Sequence, residues 1–412
     1  MWTRIARGWF PHSGKDVVEP LLSGLAFYYL TTLVVLLGIA FGSQYVKPAS
    51  GAYPAQVDFF DRMGGRAGPW YGGIADSGYK YNRQRFSNVA LFPAYPVLAR
   101  LFATVSGVRT QAALILVSHA ALAAAFVAMF TYVRRRSPGE PELAEWAVVA
   151  MGLLPTTVFF RMAYSESLFV LVTIFFLMGV QRRWPAVIVV LIVGLATATR
   201  PVGLGLLPPF LLFVWQGSQT PRRFFLRAAW LTPLACWGIT AYMAYQWVEF
   251  GEPLAFAKTT LDWSGRRPAP LGENLLALVT LEPIWSVYLP SAPAHWSRHD
   301  PGGSSLFSLQ FANPIFFVLA AALVVLGAVK RWLTPCESLL AAMLLLIPYA
   351  TLGYSISMAG MGRYAAAAVP VYLVLGRLLS RTPSAMAGVL LAVAGFLLGA
   401  YAALLGTQHH LI

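Results

Sequence analysis

The chain is poor in charge, in acidic residues and in cysteine. Only 11% of its 412 residues are charged, and 16 Asp and Glu stand against 30 Lys and Arg. The two cysteines, Cys236 and Cys336, fall within or beside apolar runs, which argues against a disulfide framework or redox chemistry. The net charge of +14 suits anionic lipid headgroups. No basic, stacking-rich module is present, so we expect no nucleic-acid partner.

Apolar residues, by contrast, make up 58% of the chain and are grouped in long runs. The alternating pattern of a membrane β-barrel is absent, so these runs predict an all-α, polytopic integral membrane protein. We predict about eleven transmembrane helices, within a range of 9 to 13. The runs are 22–44, 110–132, 143–160, 167–181, 185–199, 202–216, 228–248, 314–329, 336–354, 365–379 and 385–405.

Basic residues in the short loops predict the orientation. Arginine clusters such as Arg134-Arg135-Arg136 and Arg222-Arg223 fall at alternate ends of the runs, on the same side as Arg4 and Arg7. Short cytoplasmic loops are enriched in Lys and Arg. We therefore expect the N-terminus to lie in the cytoplasm and the protein to lie in the inner or plasma membrane.

The chain reads as a single membrane domain, 1–412, with two long extracytoplasmic loops. The first loop, 45–109, is polar and glycine-rich, and it becomes amphipathic from Leu91 to Val105. Its second half therefore predicts a helix in the membrane interface. The second loop, 249–313, is rich in Pro and Trp.

Several ionisable residues that are distant in the sequence are expected at this same outer face. Such groups beside apolar sequence are costly and are usually paired or functional. The arginines could instead be interfacial anchors, and Asp58 and Asp76 could be solvated loop carboxylates. The candidates are Asp58, Asp61, Asp76, Arg161, Glu166, Arg200 and Arg363.

Ordered motifs over about three-quarters of the chain resemble one family. The first loop has Phe60-Asp61, Trp70-Tyr71, Ile74-Ala75-Asp76-Ser77-Gly78-Tyr79 and Phe92-Pro93-Ala94-Tyr95-Pro96. Downstream are Ala163-Tyr164-Ser165-Glu166-Ser167-Leu168-Phe169, Thr199-Arg200-Pro201-Val202-Gly203, Gly251-Glu252-Pro253-Leu254-Ala255-Phe256 and Gly362-Arg363-Tyr364. Together they resemble the PIG-V family of GPI mannosyltransferases and its bacterial relatives, which belong to the GT-C class of membrane glycosyltransferases.

One spacing departs from the family pattern. The family places its aromatic pair three or four residues after the aspartate, whereas Arg62–Pro69 separates Asp61 from Trp70 here. Asp58 is therefore a second candidate for the aligned carboxylate.

The resemblance implies inverting transfer of a sugar, in that family mannose, from a polyprenyl-phosphate donor to an acceptor hydroxyl at the extracytoplasmic face. Asp61, or else Asp58, would be the general base. Arg200 and Arg363 would bind the donor phosphate, because a guanidinium matches phosphate geometry. The remaining candidates would contact the sugar or support the arginines: Glu166, Trp70, Tyr71, Tyr79, Tyr164, Tyr364 and Asp76.

Neither a cofactor nor a metal is expected, and the acceptor could be a lipid, a glycan or a protein. Two other readings stay open. A flippase or anion transporter for lipid-linked sugars would use the same arginines without covalent chemistry. It would also need ionisable groups at mid-membrane, where the sequence offers little besides His119. A non-catalytic partner subunit would depend on none of the carboxylates.

Overall fold

The structure is a computed structural model that describes residues 15–48, 58–65, 67–261, 266, 269–299 and 304–409. Every regular element within these ranges is helical, which confirms the all-α prediction. The α-helices are Lys15–Tyr45, Phe59–Gly64, Gly68–Ser77, Ala94–Ser106, Thr110–Arg136, Glu142–Leu153, Glu166–Gln181, Ala186–Thr199, Leu207–Gln216, Pro221–Ala235, Trp237–Phe250, Ala255–Leu261, Leu271–Val279, Glu282–Trp285, Trp296–His299, Leu309–Val329, Pro335–Pro348, Met361–Ala366, Pro370–Arg381 and Ser384–Gly406. Short 3₁₀ turns and one π-helical turn join them: Asn88–Ala90, Pro155–Arg161, Pro201–Leu206, Ser286–Tyr288 and Tyr349–Gly353.

Five helical stretches in the described residues are long and apolar enough to cross a membrane. They are Val18–Tyr45, Thr110–Arg136, Leu309–Val329, Pro335–Gly353 and Ser384–Gly406. The other six predicted runs are also helical, but they form shorter or broken helices. The predicted positions of the runs are therefore confirmed, while their division into full-length spans is less regular than the sequence indicated.

Proline accounts for several of the breaks. The pair Glu142–Leu153 and Pro155–Arg161 bends by 79° at Leu154, because a residue before proline is disfavoured in the α conformation. Arg200, which precedes Pro201, is likewise extended at φ −155° and ψ 147°. These breaks place polar residues at helix ends within an apolar bundle.

The first and last long helices pack closely through small residues. A Cβ atom on Gly38 would lie 2.3 Å from the carbonyl oxygen of Gly399, and one on Gly42 would lie 2.6 Å from that of Ala403. Only glycine permits such an approach of two backbones, which is a common way for helices to associate in membranes.

The first loop forms several short helices. Ala94–Ser106 overlaps the segment predicted to be interfacial, and it presents an exposed apolar face. The exposed side chains of this face are Val97, Leu98, Leu101, Phe102 and Val105. Their spacing on one side of a helix agrees with a position along a membrane surface.

Candidate active site

A short turn that follows the bent helix pair begins the site. The 3₁₀ helix Pro155–Arg161 ends at Arg161, and helix Glu166–Gln181 starts five residues later. Ser165 precedes the new helix, so Glu166 lies in its first turn. A carboxylate there is favoured by the helix dipole. Its side chain is only 1% exposed.

Two arginines converge on this carboxylate. Oε1 of Glu166 forms an ion pair with Nη1 of Arg200, and it lies 3.1 Å from Nε of Arg363. Arg200 comes from the break before Pro201, and Arg363 comes from the short helix Met361–Ala366. The structure therefore joins three of the predicted residues from distant parts of the chain.

This cluster has unused hydrogen-bonding capacity. Among the described residues, neither carboxylate oxygen of Glu166 has a hydrogen-bond partner, and neither does Nε of Arg363. Oε1 of Glu166 and Nε of Arg363 still take part in the ion pairs, which leaves Oε2 of Glu166 for further hydrogen bonds. Buried polar groups are usually satisfied, so such exceptions suggest a ligand or a functional role.

Aromatic rings surround the two guanidinium groups. Arg200 lies 5.0 Å from the centre of the Tyr364 ring, and Arg363 lies 5.4 Å from that of Tyr164 and 5.6 Å from that of Tyr364. These are cation–π distances. Tyr164 and Tyr364 therefore belong to the same cluster as Glu166, Arg200 and Arg363.

The first loop packs directly on the turn that carries Glu166. The amide of Ala163 donates to the carbonyl of Met63 at 3.1 Å. A Cβ atom on Gly65 would lie 3.4 Å from the Tyr164 ring. The Tyr71 hydroxyl also donates to that of Ser165 at 3.0 Å. Burial is the main cause that raises the pKa of Tyr71 to about 12, with the Glu166 charge adding to it.

The two candidate bases occupy the first turn of helix Phe59–Gly64. Asp58 caps this helix by accepting a hydrogen bond from the amide of Asp61 at 2.8 Å. Both carboxylates pair with Arg109, whose Nη1 lies 3.5 Å from Oδ2 of Asp61. The Asp61 amide, and then Arg109, hold the pKa of Asp58 below its usual range. Asp58 is 49% exposed and Asp61 35%, so both reach solvent.

The other predicted residues of the first loop lie outside these clusters. Asp76 is exposed and accepts a hydrogen bond from Thr110. Trp70 is also exposed and packs edge-to-face on Phe86. The Tyr79 hydroxyl donates to the carbonyl of Leu91 at 2.9 Å. Within the described chain, the structure thus gives none of these three a contact with Glu166, Arg200 or Arg363.

Arg161 belongs to a separate buried network. It is fully buried, so the alternative of an interfacial anchor does not hold for it. Its guanidinium donates to the hydroxyls of Thr31 and Thr32 and to the carbonyl of Gly152. His119 contacts the Arg161 carbonyl at 3.1 Å. These bonds satisfy carbonyl groups that the 79° bend leaves open.

Sequence reasoning missed three residues that connect these elements. Arg109 pairs with both aspartates, Ser165 receives the Tyr71 hydrogen bond, and Gln111 lies against Gly64 and Gly68. Arg109 and Gln111 begin helix Thr110–Arg136 at the end of the first loop. The sequence places Arg109 and Gln111 at the end of the loop, but it does not indicate which residues they contact.

No protein-family model matches the chain, and no curated protein matches it. The crystal structure of the Archaeoglobus fulgidus oligosaccharyltransferase, tethered with an acceptor peptide containing the NVT sequon via a disulfide bond, aligns with 92% of this chain. The identity is 12% and the TM-score is 0.43. The chain spans 55% of that protein, and a likeness of this degree identifies neither a family nor an activity.

Proposed function

We propose that the chain is a membrane glycosyltransferase that uses a polyprenyl-phosphate sugar, with mannose as the sugar. The observation that carries this proposal is the convergence of Arg200 and Arg363 on buried Glu166. The motifs that resemble the PIG-V family contain all three residues. Their assembly from separate helices supports a common role for them.

The cluster suits a lipid phosphate. Two guanidiniums against one carboxylate leave one positive charge in a site that is largely shielded from water. A leaving phosphate gains negative charge as the glycosidic bond breaks, and fixed cations stabilise that charge best where water is excluded. Oε2 of Glu166 can accept from a sugar hydroxyl, and the guanidinium groups of Arg200 and Arg363 would bind phosphate oxygens.

The acceptor would enter from the first loop. Its hydroxyl oxygen attacks the anomeric carbon while the bond from that carbon to the phosphate oxygen breaks, and the configuration inverts. The hydroxyl proton passes to Asp61, and the electron pair of the broken bond leaves on the phosphate. Helix Phe59–Gly64, which carries Asp61, packs on the turn before Glu166 through the bond from Ala163 to Met63.

A transporter of lipid-linked sugars is the second candidate, and one observation favours it. Arg161 is buried and contacts half-buried His119 through its carbonyl, and its guanidinium bonds to Thr31 and Thr32 near the middle of the first long helix. However, Arg161 is fully buried, and its hydrogen bonds all go to the protein. Catalysis is therefore the better supported candidate.

The test is sugar transfer by the purified protein in lipid vesicles supplied with labelled polyprenyl-phosphate mannose and host lipid extract. We expect a labelled product from the wild type and loss of that product in Asp61→Asn. Loss of the labelled product only in Asp58→Asn would support the same reaction with Asp58 as the base. Movement of the labelled donor between leaflets without any product would reject catalysis in favour of transport.

A further inference from the structure

The segment that leads to Arg363 has an unusual backbone. Ser357 and Met358 both adopt left-handed conformations, at φ 50° and φ 62°, although neither is glycine. Gly360, at φ 71°, then begins the helix that carries Arg363 and Tyr364. Such conformations cost free energy and persist only where surrounding contacts impose them.

Arg266 of the second loop provides many of these contacts. Its Nε donates to Oγ of Ser357 at 2.9 Å, and its backbone amide donates to the carbonyl of Ser355 at 3.3 Å. Its guanidinium lies 4.8 Å from the centre of the Tyr354 ring. The side chain of Arg266 thus contacts Tyr354 and Ser357, while its backbone amide holds Ser355.

The other end of the same guanidinium is anchored in the second loop. Nη1 donates to Oε2 of Glu282 at 2.7 Å, and Nη2 donates to Oγ of Ser286 at 2.8 Å. The side chain of Arg266 is only 12% exposed. Its donors are therefore directed between two parts of the chain rather than to solvent.

We propose that Arg266 is a positioning residue, which holds residues 354–360 in the conformation that places Arg363 beside Glu166. This inference rests on the proposed function for its effect on catalysis. Arg266 touches neither of these residues, so it acts through the backbone that leads to Arg363. Lysine cannot replace it, because an ammonium group lacks the planar fork and stacking surface of guanidinium.

The first experiment measures the segment without relying on catalysis. Met358 is fully buried, so Met358→Cys, in a chain whose Cys236 and Cys336 are replaced by alanine, reports its opening. We expect maleimide labelling to be slow in this background and at least about tenfold faster after Arg266→Ala, because local opening exposes the thiol. Arg298→Ala, at an exposed arginine of the same loop, should leave the rate unchanged.

The second experiment measures sugar transfer in the same variants without the reporter cysteine. We expect Arg266→Ala and Arg266→Lys to lower kcat by about 10- to 100-fold, because small displacements of a catalytic group have effects of this size. Methylguanidine should restore part of the activity of Arg266→Ala but none of that of Arg363→Ala. If Arg266→Ala does not fold, Glu282→Gln removes the anchor and should give the same changes in smaller degree.

The outcomes of the two experiments distinguish failure of the Arg266 proposal from failure of the proposed function. Fast labelling with a lowered kcat supports the proposal, whereas equal labelling in Arg266→Ala and Arg298→Ala overturns it. Fast labelling with normal kcat also overturns it, because the segment would then not position Arg363. If the wild type transfers no sugar, the proposed function fails, and the labelling rates alone decide whether Arg266 holds the segment.

Discussion

The hydroxyl of Tyr71 donates a hydrogen bond to the hydroxyl of Ser165, immediately before Glu166. Tyr71 belongs to the first loop, and Ser165 belongs to the turn between two helices of the bundle. This bond ties the loop that carries both candidate bases to the carboxylate that holds both arginines. The two halves of the proposed site are therefore mechanically connected.

Tyr71→Phe tests this connection. We expect it to lower the free energy of unfolding by about 1 kcal/mol, the usual contribution of one hydrogen bond, and to lower transfer as well. A double-mutant cycle with Ser165→Ala should give a coupling energy of similar size. Since burial raises the pKa of Tyr71 to about 12, the bond should persist up to pH 10. Independent effects of the two substitutions would argue against the connection.

Glu166→Gln tests the pairing of the buried charges. The substitution leaves Arg200 and Arg363 without their carboxylate, and breaking a buried pair costs about 3–5 kcal/mol. We therefore expect a clear drop in thermal stability in detergent, together with loss of transfer. Glu140→Gln is the control, because it breaks the ion pair between Arg377 and Glu140, whose carboxylate is 45% exposed. This variant should lose less than about 1 kcal/mol of unfolding free energy. Equal losses in the two variants would contradict the structural assignment.

Arg363→Ala and Arg200→Ala test the phosphate role. Each should lower kcat by about 10²-fold or more, the effect of removing one group that stabilises transition-state charge. The corresponding lysine variants keep the charge but lose the fork, so we expect intermediate rates. Arg85→Ala, at an exposed residue of the first loop, is the control. Full activity in either alanine variant would remove that arginine from the mechanism.

Asp61→Asn and Asp58→Asn distinguish a catalytic role from a helix-capping role. Loss of a general base costs about 10²- to 10⁴-fold in rate, and we expect this loss in Asp61→Asn. Asparagine caps a helix about as well as aspartate, so Asp58→Asn should keep both the helix and most of the activity. Transfer rates of the two variants under single-turnover conditions would show which aspartate is the base. The opposite pattern would assign the base to Asp58.

The sequence predicted much of this architecture because its signals are local. Apolar runs mark the helices, but the run 143–160 was predicted as one helix, whereas the structure breaks it before Pro155. For Glu166, Arg200 and Arg363, the sequence predicted a shared membrane face, and the family resemblance implied that Glu166 supports an arginine or contacts the sugar. Composition and periodicity carry no information on which side chains of distant helices touch.

Two other features could not be predicted from local sequence signals, because they depend on contacts between distant residues. Arg109 looked like one more basic loop residue, yet it pairs with both aspartates. Arg161 was placed beside the outer turn by its position in the sequence, but its long side chain reaches Thr31 and Thr32 inside the bundle. The direction of this side chain depends on the 79° bend, which the prediction of one continuous run over 143–160 did not include.

The close seam between Gly38 and Gly399, and between Gly42 and Ala403, bears on the order in which the protein assembles. Residues 46–383 separate the two helices that form it. During synthesis, the first helix enters the lipid long before its partner has left the ribosome. Its glycine-lined surface must then be covered by lipid or by the insertion machinery until helix Ser384–Gly406 arrives. Closure of this seam therefore follows insertion of the first helix.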